Sequence, residues 1–139
     1  MPLTRSDLQQ LSALRLAEAQ ALLAAGLWDG AYYLAGYVVE YALKACVAKQ
    51  TVAEEFPDKE RAYKAFTHRI EDLVKLAGLR ADRDKRSAAD PEFQLNFAAA
   101  EEWDENARYE RWDEAQARAL VTAITDPTHG VLPWITAWW

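Results

Sequence analysis

The chain has 139 residues, of which 51% are hydrophobic and 27% are charged, and its formal net charge is −6. This size fits one domain with a single core, and the negative charge excludes a general affinity for nucleic acid, which would need a local basic patch. Five glycines and five prolines are too few for a turn-rich β-protein. The composition therefore predicts one all-α domain over residues 1–139.

The first predicted helix begins near Ser6, which together with Gln9 has the spacing of a capping box. Leucines recur after it at helical spacing and predict that the helix runs to about Ala25. Gly26 is expected to end the helix, and residues 28–30 to form a short turn. A connection this short makes the second helix antiparallel to the first.

The stretch from Gly30 to Gln50 is apolar, aromatic or small at almost every position, and it predicts the central helix of a bundle. Glu40 and Lys44 make it a poor membrane span, because charged groups are costly in lipid. One face carries small side chains that let a neighbouring helix approach closely: Ala31, Ala35, Val38, Ala42 and Ala45.

The other face of this helix is polar. Tyr33, Tyr37, Glu40 and Lys44 fall within an arc of roughly 60° when each residue turns the helix by ~100°. In one interpretation Glu40 and Lys44, four positions apart, form a helix-stabilising ion pair. In the other, the arc is a groove for a nucleotide or a partner chain, since phenols, a carboxylate and an ammonium group can hold a base, a ribose or a phosphate.

Cys46 is the only cysteine and lies in the same apolar run. It cannot form an intrachain disulfide, and burial there is expected to raise its pKa and leave it a core-packing role. With this single cysteine a cytoplasmic location is predicted, and no secretory signal is expected because the N-terminal residues lack its apolar segment. The two histidines and the cysteine have no metal-ligand spacing, and no metal or other cofactor is expected.

After Gln50 the helical pattern fails, and residues 51–66 are predicted to form a loop with a helical turn around Lys59–Tyr63. Thr67 is expected to cap a third helix that ends at Gly78. The inner face of that helix is predicted to be Ile70, Leu73, Val74 and Ala77.

Residues 80–90 are charged and weakly patterned, and the segment Arg80–Arg86, in which Asp82 and Asp84 interrupt the basic residues, is interpreted as a solvated surface. A fourth helix is predicted from Pro91 to about Trp103, and a fifth from Asp113 to the stop at Asp126-Pro127. The tail has three tryptophans in its last six residues. It is expected either to fold back over the bundle or to dock on another subunit.

Three segments together resemble HEPN domains. GAYYLAGYVVEYALKACV looks like the second helix of that family, where a Glu is followed four residues later by a Lys. THRIEDLVKLAG resembles the start of the next helix, and ENARYE resembles the Arg-Tyr step before the last long helix. The resemblance covers roughly Leu8 to Ile124 and implies an up-and-down bundle of five to six helices that often forms homodimers.

The resemblance implies one of two roles. Some HEPN proteins are metal-independent RNases built around Arg-x4–6-His, whereas others lack that motif and act as binding modules, frequently beside a small nucleotidyltransferase. Here Arg61 and His68 are separated by six residues, but Ala62 follows the Arg where the family prefers a polar residue. The pair also precedes the third helix rather than the last long one. His68 is expected instead to cap that helix and to hydrogen-bond a backbone group.

The sequence therefore predicts a non-catalytic, dimeric module that binds a nucleotide, RNA or a partner such as a small nucleotidyltransferase. Its predicted site residues are Tyr33, Tyr37, Glu40, Lys44, Arg108 and Tyr109. Arg108 either binds an anion at one end of the groove or pairs with Glu105 or Glu110. Two alternatives stay open: a toxin-like endoribonuclease that uses Arg61 and His68, and a structural dimer scaffold without a ligand.

Overall fold

The computed structural model describes residues 3–51 and 59–139. These residues form eight α-helices and one 3₁₀ helix, with no strand: α1 (Arg5–Ala24), α2 (Trp28–Lys49), α3 (Lys59–Lys64), α4 (Ile70–Leu76), α5 (Arg80–Ala89), α6 (Pro91–Glu102), the 3₁₀ helix (Glu105–Tyr109), α7 (Glu114–Thr125) and α8 (Val131–Thr136). The predicted all-α class is confirmed. The helices outnumber the five or six expected because α3, α5 and α8 are short and lack a long apolar pattern. Among the described helices, none combines the length and hydropathy needed to cross a membrane.

Helix α1 begins at a different cap from the one predicted. The Thr4 hydroxyl accepts a hydrogen bond from the Asp7 amide (3.1 Å), and the Asp7 carboxylate accepts one from the Thr4 amide (2.9 Å). The prediction of Ser6 and Gln9 as a capping box is therefore wrong. An ionised Asp in the first turn is a stronger acceptor than an amide and is favoured by the helix dipole, which explains the earlier start.

The turn predicted at residues 28–30 is wrong, because these residues already belong to α2. The connection between α1 and α2 ends before them. Gly26 ends α1 as expected, with a φ of 74° that suits glycine. The Leu27 amide then donates to the Leu22 carbonyl (2.9 Å), so the chain has already reversed when α2 begins at Trp28.

Helix α2 is the central helix of the bundle and packs against α1, α4, α7, α8 and the 3₁₀ helix. Its antiparallel arrangement with α1 is evident from two contacts: Leu22 meets Gly30 near the turn, and the Ser12 hydroxyl donates to the Val38 carbonyl (2.8 Å) farther from it. The predicted small-residue face is fully buried: Ala31, Ala35, Val38, Ala42 and Ala45. The prediction of a core helix is thus confirmed.

The segment after α2 is partly described. Residues 52–58 of the predicted loop lie outside the described residues, and α3 contains the predicted helical turn. The N-cap of α4 is Arg69 and not Thr67, because the Thr67 hydroxyl accepts from the Arg69 amide (3.1 Å) in a tight turn before the helix. Gly78 follows α4 with a φ of 73°, as predicted. The predicted inner face is buried: Ile70, Leu73, Val74 and Ala77.

Residues 80–89 form α5, which the interpretation as a solvated surface did not predict. The Arg83 guanidinium donates two hydrogen bonds to the Glu71 carboxylate (2.6 and 3.0 Å) and lies over the Phe97 ring, 4.8 Å from its centroid. Its side chain is only 11% exposed. One arginine therefore attaches α5 to both α4 and α6.

The predicted starts of α6 and α7 are confirmed. The Asp90 carboxylate accepts from the Phe93 amide (3.1 Å), with Pro91 as the first helical residue. Asp113 caps α7 in a capping box with Gln116. Both helices begin where a side-chain acceptor is available for the first free amides.

The tryptophan-rich tail folds back over the bundle as α8. The Trp134 ring packs against Phe93 and Phe97, with centroid distances of 5.4 and 6.1 Å. Its indole nitrogen donates to the Asp82 carboxylate (2.7 Å). Of the two arrangements predicted for the tail, this chain adopts the intramolecular one.

Candidate functional site

A buried carboxylate lies in the middle of α2. Glu40 is 1% exposed, and its two oxygens have different partners: Oε2 accepts from Lys44 Nζ (3.2 Å), and Oε1 lies 2.7 Å from Nδ1 of His68. The ion pair with Lys44 predicted from the spacing is present, and His68 is a second partner that the sequence did not predict. Because a buried carboxylate requires such partners, Glu40 is fixed in place and closed to solvent.

His68 lies between α3 and α4, and its side chain is 43% exposed. It bonds the Glu40 carboxylate and not, as predicted, a backbone group at the helix start. Since an ionised carboxylate only accepts hydrogen bonds, Nδ1 carries the proton in this pair, and Nε2 is the accepting nitrogen of the neutral ring. The result is an oriented imidazole at the protein surface.

The polar face of α2 consists of Tyr33, Tyr37, Glu40 and Lys44, and the two tyrosines form its N-terminal part. Their hydroxyl oxygens are hydrogen-bonded at 3.2 Å, and their rings meet edge to face with centroids 5.3 Å apart. Burial, with the hydrogen bond to Tyr33, raises the pKa of Tyr37, so this phenol stays neutral at physiological pH. The Tyr37 ring also meets the His68 ring at 6.2 Å, which joins the tyrosines to the Glu40 group.

The tyrosine pair rests on Trp103. The Trp103 indole nitrogen donates to the Tyr33 carbonyl (3.1 Å), and the Tyr37 ring meets the indole edge to face at 4.9 Å. Gly36 makes this contact possible, because the indole occupies the space that a Cβ would fill. Sequence reasoning placed Trp103 only at the end of a helix; the signal it missed is a glycine in the middle of an otherwise strong helical pattern.

The 3₁₀ helix brings Arg108 beside the polar face. The Arg108 guanidinium lies over the Tyr109 ring, 4.6 Å from its centroid, and interaction with the phenol groups of Tyr109 and then Tyr33 raises its pKa. In the described part of the chain no ion pair joins Arg108 to Glu105 or Glu110. Tyr109 is 73% exposed. A guanidinium and an open aromatic face therefore lie together at this end of the site.

The structure thus collects the six predicted residues into two adjoining groups. The first contains Tyr33, Tyr37, Arg108 and Tyr109, and the second contains Glu40 and Lys44, to which His68 is added. Tyr37 connects the groups through its contact with His68. Glu40 alone is sealed from solvent, so it acts on its neighbours and not on a ligand.

Arg61, the other residue of the predicted Arg-His spacing, lies on α3. Its Nη2 donates to the Gln50 side-chain oxygen (3.1 Å), and Gln50 donates in turn to the Ala77 carbonyl. Arg61 and Thr67, the residue before His68, line the same hollow of about 690 Å³ between α3 and α4. The hollow is thus lined by Arg61 and by the residue next to His68, but not by His68 itself.

Cys46 is 1% exposed, and burial raises its pKa to about 11. The predicted core position and the predicted direction of the pKa are both confirmed, and the neutral thiol is a poor nucleophile. Over residues 3–51 and 59–139, no three His, Cys, Asp or Glu side chains are arranged to hold a metal ion.

Comparisons of the chain with protein-family models, with curated proteins and with solved structures give no match. The likeness to HEPN domains stays a prediction from the three segments quoted above. What the molecule binds must therefore be inferred from the geometry of these side chains.

Proposed function

We propose that this chain is a non-catalytic HEPN-type binding module that holds a nucleotide, free or within RNA, along the polar face of α2. The observation that carries the proposal is the position of Arg108 against Tyr33 and Tyr109. The planar guanidinium suits a phosphate, and the exposed Tyr109 ring suits a base. Both lie where a single nucleotide can reach them together.

The other residues divide by their exposure. Tyr33 and Tyr37 are half-buried, and their hydroxyls can hydrogen-bond a ribose or a base edge. Lys44 adds a cation farther along the helix. Glu40, which is closed off, is a positioning residue that holds Lys44 and His68 at the rim of the site.

Calorimetric titration with AMP and with a short single-stranded RNA tests this proposal. Arg108→Ala is expected to weaken binding about tenfold, since a hydrogen bond to a charged group contributes roughly 1.5–3 kcal/mol. Lys85→Ala, on the exposed side of α5, removes the same charge away from the site and should leave the affinity unchanged. Equal affinity of the two variants would overturn the proposal. Failure of the wild-type chain to bind any nucleotide or RNA would favour the ligand-free scaffold.

We infer from the same resemblance that the chain forms a homodimer and that a small nucleotidyltransferase is its candidate protein partner. Its single cysteine supports a cytoplasmic location. Exposed apolar side chains support a contact with a second chain: Leu14 on α1 is 50% exposed, and Leu27 in the connection to α2 is 57% exposed. Sedimentation at a protein concentration of tens of micromolar, about the Kd of a weak dimer, is expected to show a dimer. A monomer alone would remove the dimer from the proposal.

The Glu40–His68 pair favours a second function, a toxin-like, metal-independent endoribonuclease. A buried carboxylate that orients an exposed imidazole is the arrangement of a general base. In this reaction His68 Nε2 accepts the proton of a ribose 2′-hydroxyl, whose oxygen attacks the adjacent phosphorus. The 5′-oxygen leaves and takes a proton from water, a 2′,3′-cyclic phosphate remains, and Arg61 stabilises the charge on phosphorus.

Incubation of RNA with purified protein in the presence of a chelator separates the two functions. Cleavage that is abolished by His68→Ala and reduced by Glu40→Gln would establish the endoribonuclease. Intact RNA after incubation with the wild-type chain would exclude it and leave the binding module.

A further inference from the structure

We propose that the hollow between α3 and α4, here called the α3–α4 groove, is a docking surface for a single-stranded oligonucleotide. The inference rests on the proposed nucleotide-binding function and extends it from one nucleotide to a strand. At about 690 Å³ the groove falls within the roughly 300–1,000 Å³ of ligand pockets.

Two aromatic rings of the groove are unusually open. Tyr63 is 81% exposed and Phe66 is 77% exposed, and they are the most exposed aromatic side chains among the described residues. Both line the α3–α4 groove. Core packing does not account for rings in this position, whereas unpaired bases stack on such faces regardless of their sequence.

The positive charge of the groove favours a polyanion as its occupant. Arg61, Lys64 and Lys75 line it together with the two rings. Residues 59–75 contain five basic and three acidic residues, although the whole chain has a net charge of −6. Asp72, an acidic residue of the lining, lies 3.7 Å from the Arg69 guanidinium, which offsets its charge. Lys64 forms an ion pair with Glu60 (2.8 Å) in which both side chains are more than half exposed, and the stretch as a whole keeps a surplus of two positive charges. This surplus is the local basic patch that an acidic protein needs to bind nucleic acid.

The groove is continuous with the candidate site along the chain. Thr67 lines the groove, and the next residue is His68, whose ring is oriented by Glu40. The inference therefore includes a strand that stacks its bases on Tyr63 and Phe66 and continues towards His68. A duplex has no free base faces to offer and is not expected to bind in this way.

Fluorescence anisotropy with a labelled strand of about twelve nucleotides tests the rings. The double variant Tyr63→Ala, Phe66→Ala is expected to weaken RNA binding at least tenfold, because stacking contributes ~1–3 kcal/mol per base. Its affinity for AMP should be unchanged. Leu95→Ala, which removes a 72% exposed side chain from α6, is the matched control and should bind as the wild type does. Because all three side chains are exposed, circular dichroism should be the same for every variant.

A charge reversal tests the cations. Lys75→Glu is expected to weaken RNA binding and to make it less dependent on salt. The slope of log K against log salt concentration should become smaller by ~0.7 for each lost phosphate contact. Lys85→Glu makes the same change in net charge on α5 and should have no such effect. Equal affinity for RNA and DNA strands would support recognition through base stacking and phosphate contacts alone. A preference for RNA would support the same recognition together with a contact to the 2′-hydroxyl.

Three results would overturn the inference: wild-type RNA affinity in the double variant, loss of AMP binding in that variant, or tighter binding of a duplex than of a strand. If the double variant binds RNA as the wild type does and AMP still binds the wild type, the proposed function survives without the groove. If neither AMP nor RNA binds the wild type, the proposed function itself fails.

Discussion

Gly36 lies directly against the indole ring of Trp103, so close that a Cβ at position 36 would come within 1.9 Å of two ring carbons. The indole is fully buried and rigid at this point, and Tyr33 and Tyr37 rest on it. Any side chain at position 36 must therefore push Trp103 away from α2 and disturb the site above it.

We expect Gly36→Ala to lower the free energy of unfolding by about 3 kcal/mol, as overpacking of a core does. Gly30→Ala in the same helix is the control: its Cβ would meet only the end of the Leu22 side chain, at 3.2 Å, which can rotate. That variant should be neutral or stabilising by ~0.5–1 kcal/mol, since alanine favours a helix over glycine. Urea denaturation measures both, and equal midpoints would contradict the packing argument.

Glu40 provides a second test. Glu40→Gln keeps the shape of the side chain but removes the charge that holds Lys44 and His68, so we expect a loss of about 2–3 kcal/mol in the free energy of unfolding. Glu114→Gln removes the acid of an exposed pair with Arg118, in which both side chains are more than half exposed, and should change stability by ~0.5 kcal/mol or less. A loss of the same size in both variants would mean that burial of Glu40 contributes nothing.

The parts of the fold that follow from local pattern could be predicted from the sequence. The apolar run of α2, the Asp90-Pro91 start of α6 and the Asp113 cap of α7 each depend on neighbouring residues, and each is confirmed. The cap of α1 was missed by two residues because the sequence offers two capping-box spacings, Thr4 with Asp7 and Ser6 with Gln9, and the structure uses the first.

The parts that depend on residues far apart in the chain could not be predicted. His68 meets Glu40 across 28 positions, and Trp103 meets Tyr33 across 70. Helix α5 has no apolar stripe, and Arg83 holds it through Glu71 and Phe97, which lie on other helices. Tyr33, Tyr37, Glu40 and Lys44 were recognisable because they share one face of α2. Arg108 and Tyr109 came from the resemblance of a separate segment, and His68 joins the site only through tertiary packing.

Arg83 is the subject of a third prediction. Arg83→Lys retains the charge but loses the planar double hydrogen bond to Glu71 and the contact with the Phe97 ring. We expect a decrease of about 1–2 kcal/mol in the free energy of unfolding. Arg80→Lys, at an exposed position of the same helix, should cause no measurable change. If the two variants unfold at the same urea concentration, Arg83 does not hold α5 in place.

The last prediction concerns pH and the junction between α6 and α8. Nδ1 of His129 lies 2.7 Å from the Asp90 carboxylate, Nε2 lies 3.3 Å from that of Glu92, and Arg86 also contacts Asp90 at 3.3 Å. The hydrogen bond to Asp90 raises the pKa of His129 above 6.5, and the same bond lowers the pKa of Asp90 from 3.8 to about 2. The contribution of His129 to stability is therefore complete below pH 6.5 and is lost as the pH rises through its raised pKa. That of Asp90 is complete above pH 3.8 and is lost as the pH falls towards 2.

Both contributions are present together between pH 3.8 and 6.5, so the coupling between the two side chains should be largest in that window. A double-mutant cycle with His129→Gln and Asp90→Asn measures it, and the cycle cancels the separate loss of the α6 cap in Asp90→Asn. We expect a stabilising coupling energy at about pH 5. It should decline as the pH rises to about 9, because the imidazole loses its charge and only a hydrogen bond remains. A coupling of the same size at both pH values would show that the charge of His129 plays no part, and that the imidazole acts at this junction only as a neutral hydrogen-bond donor.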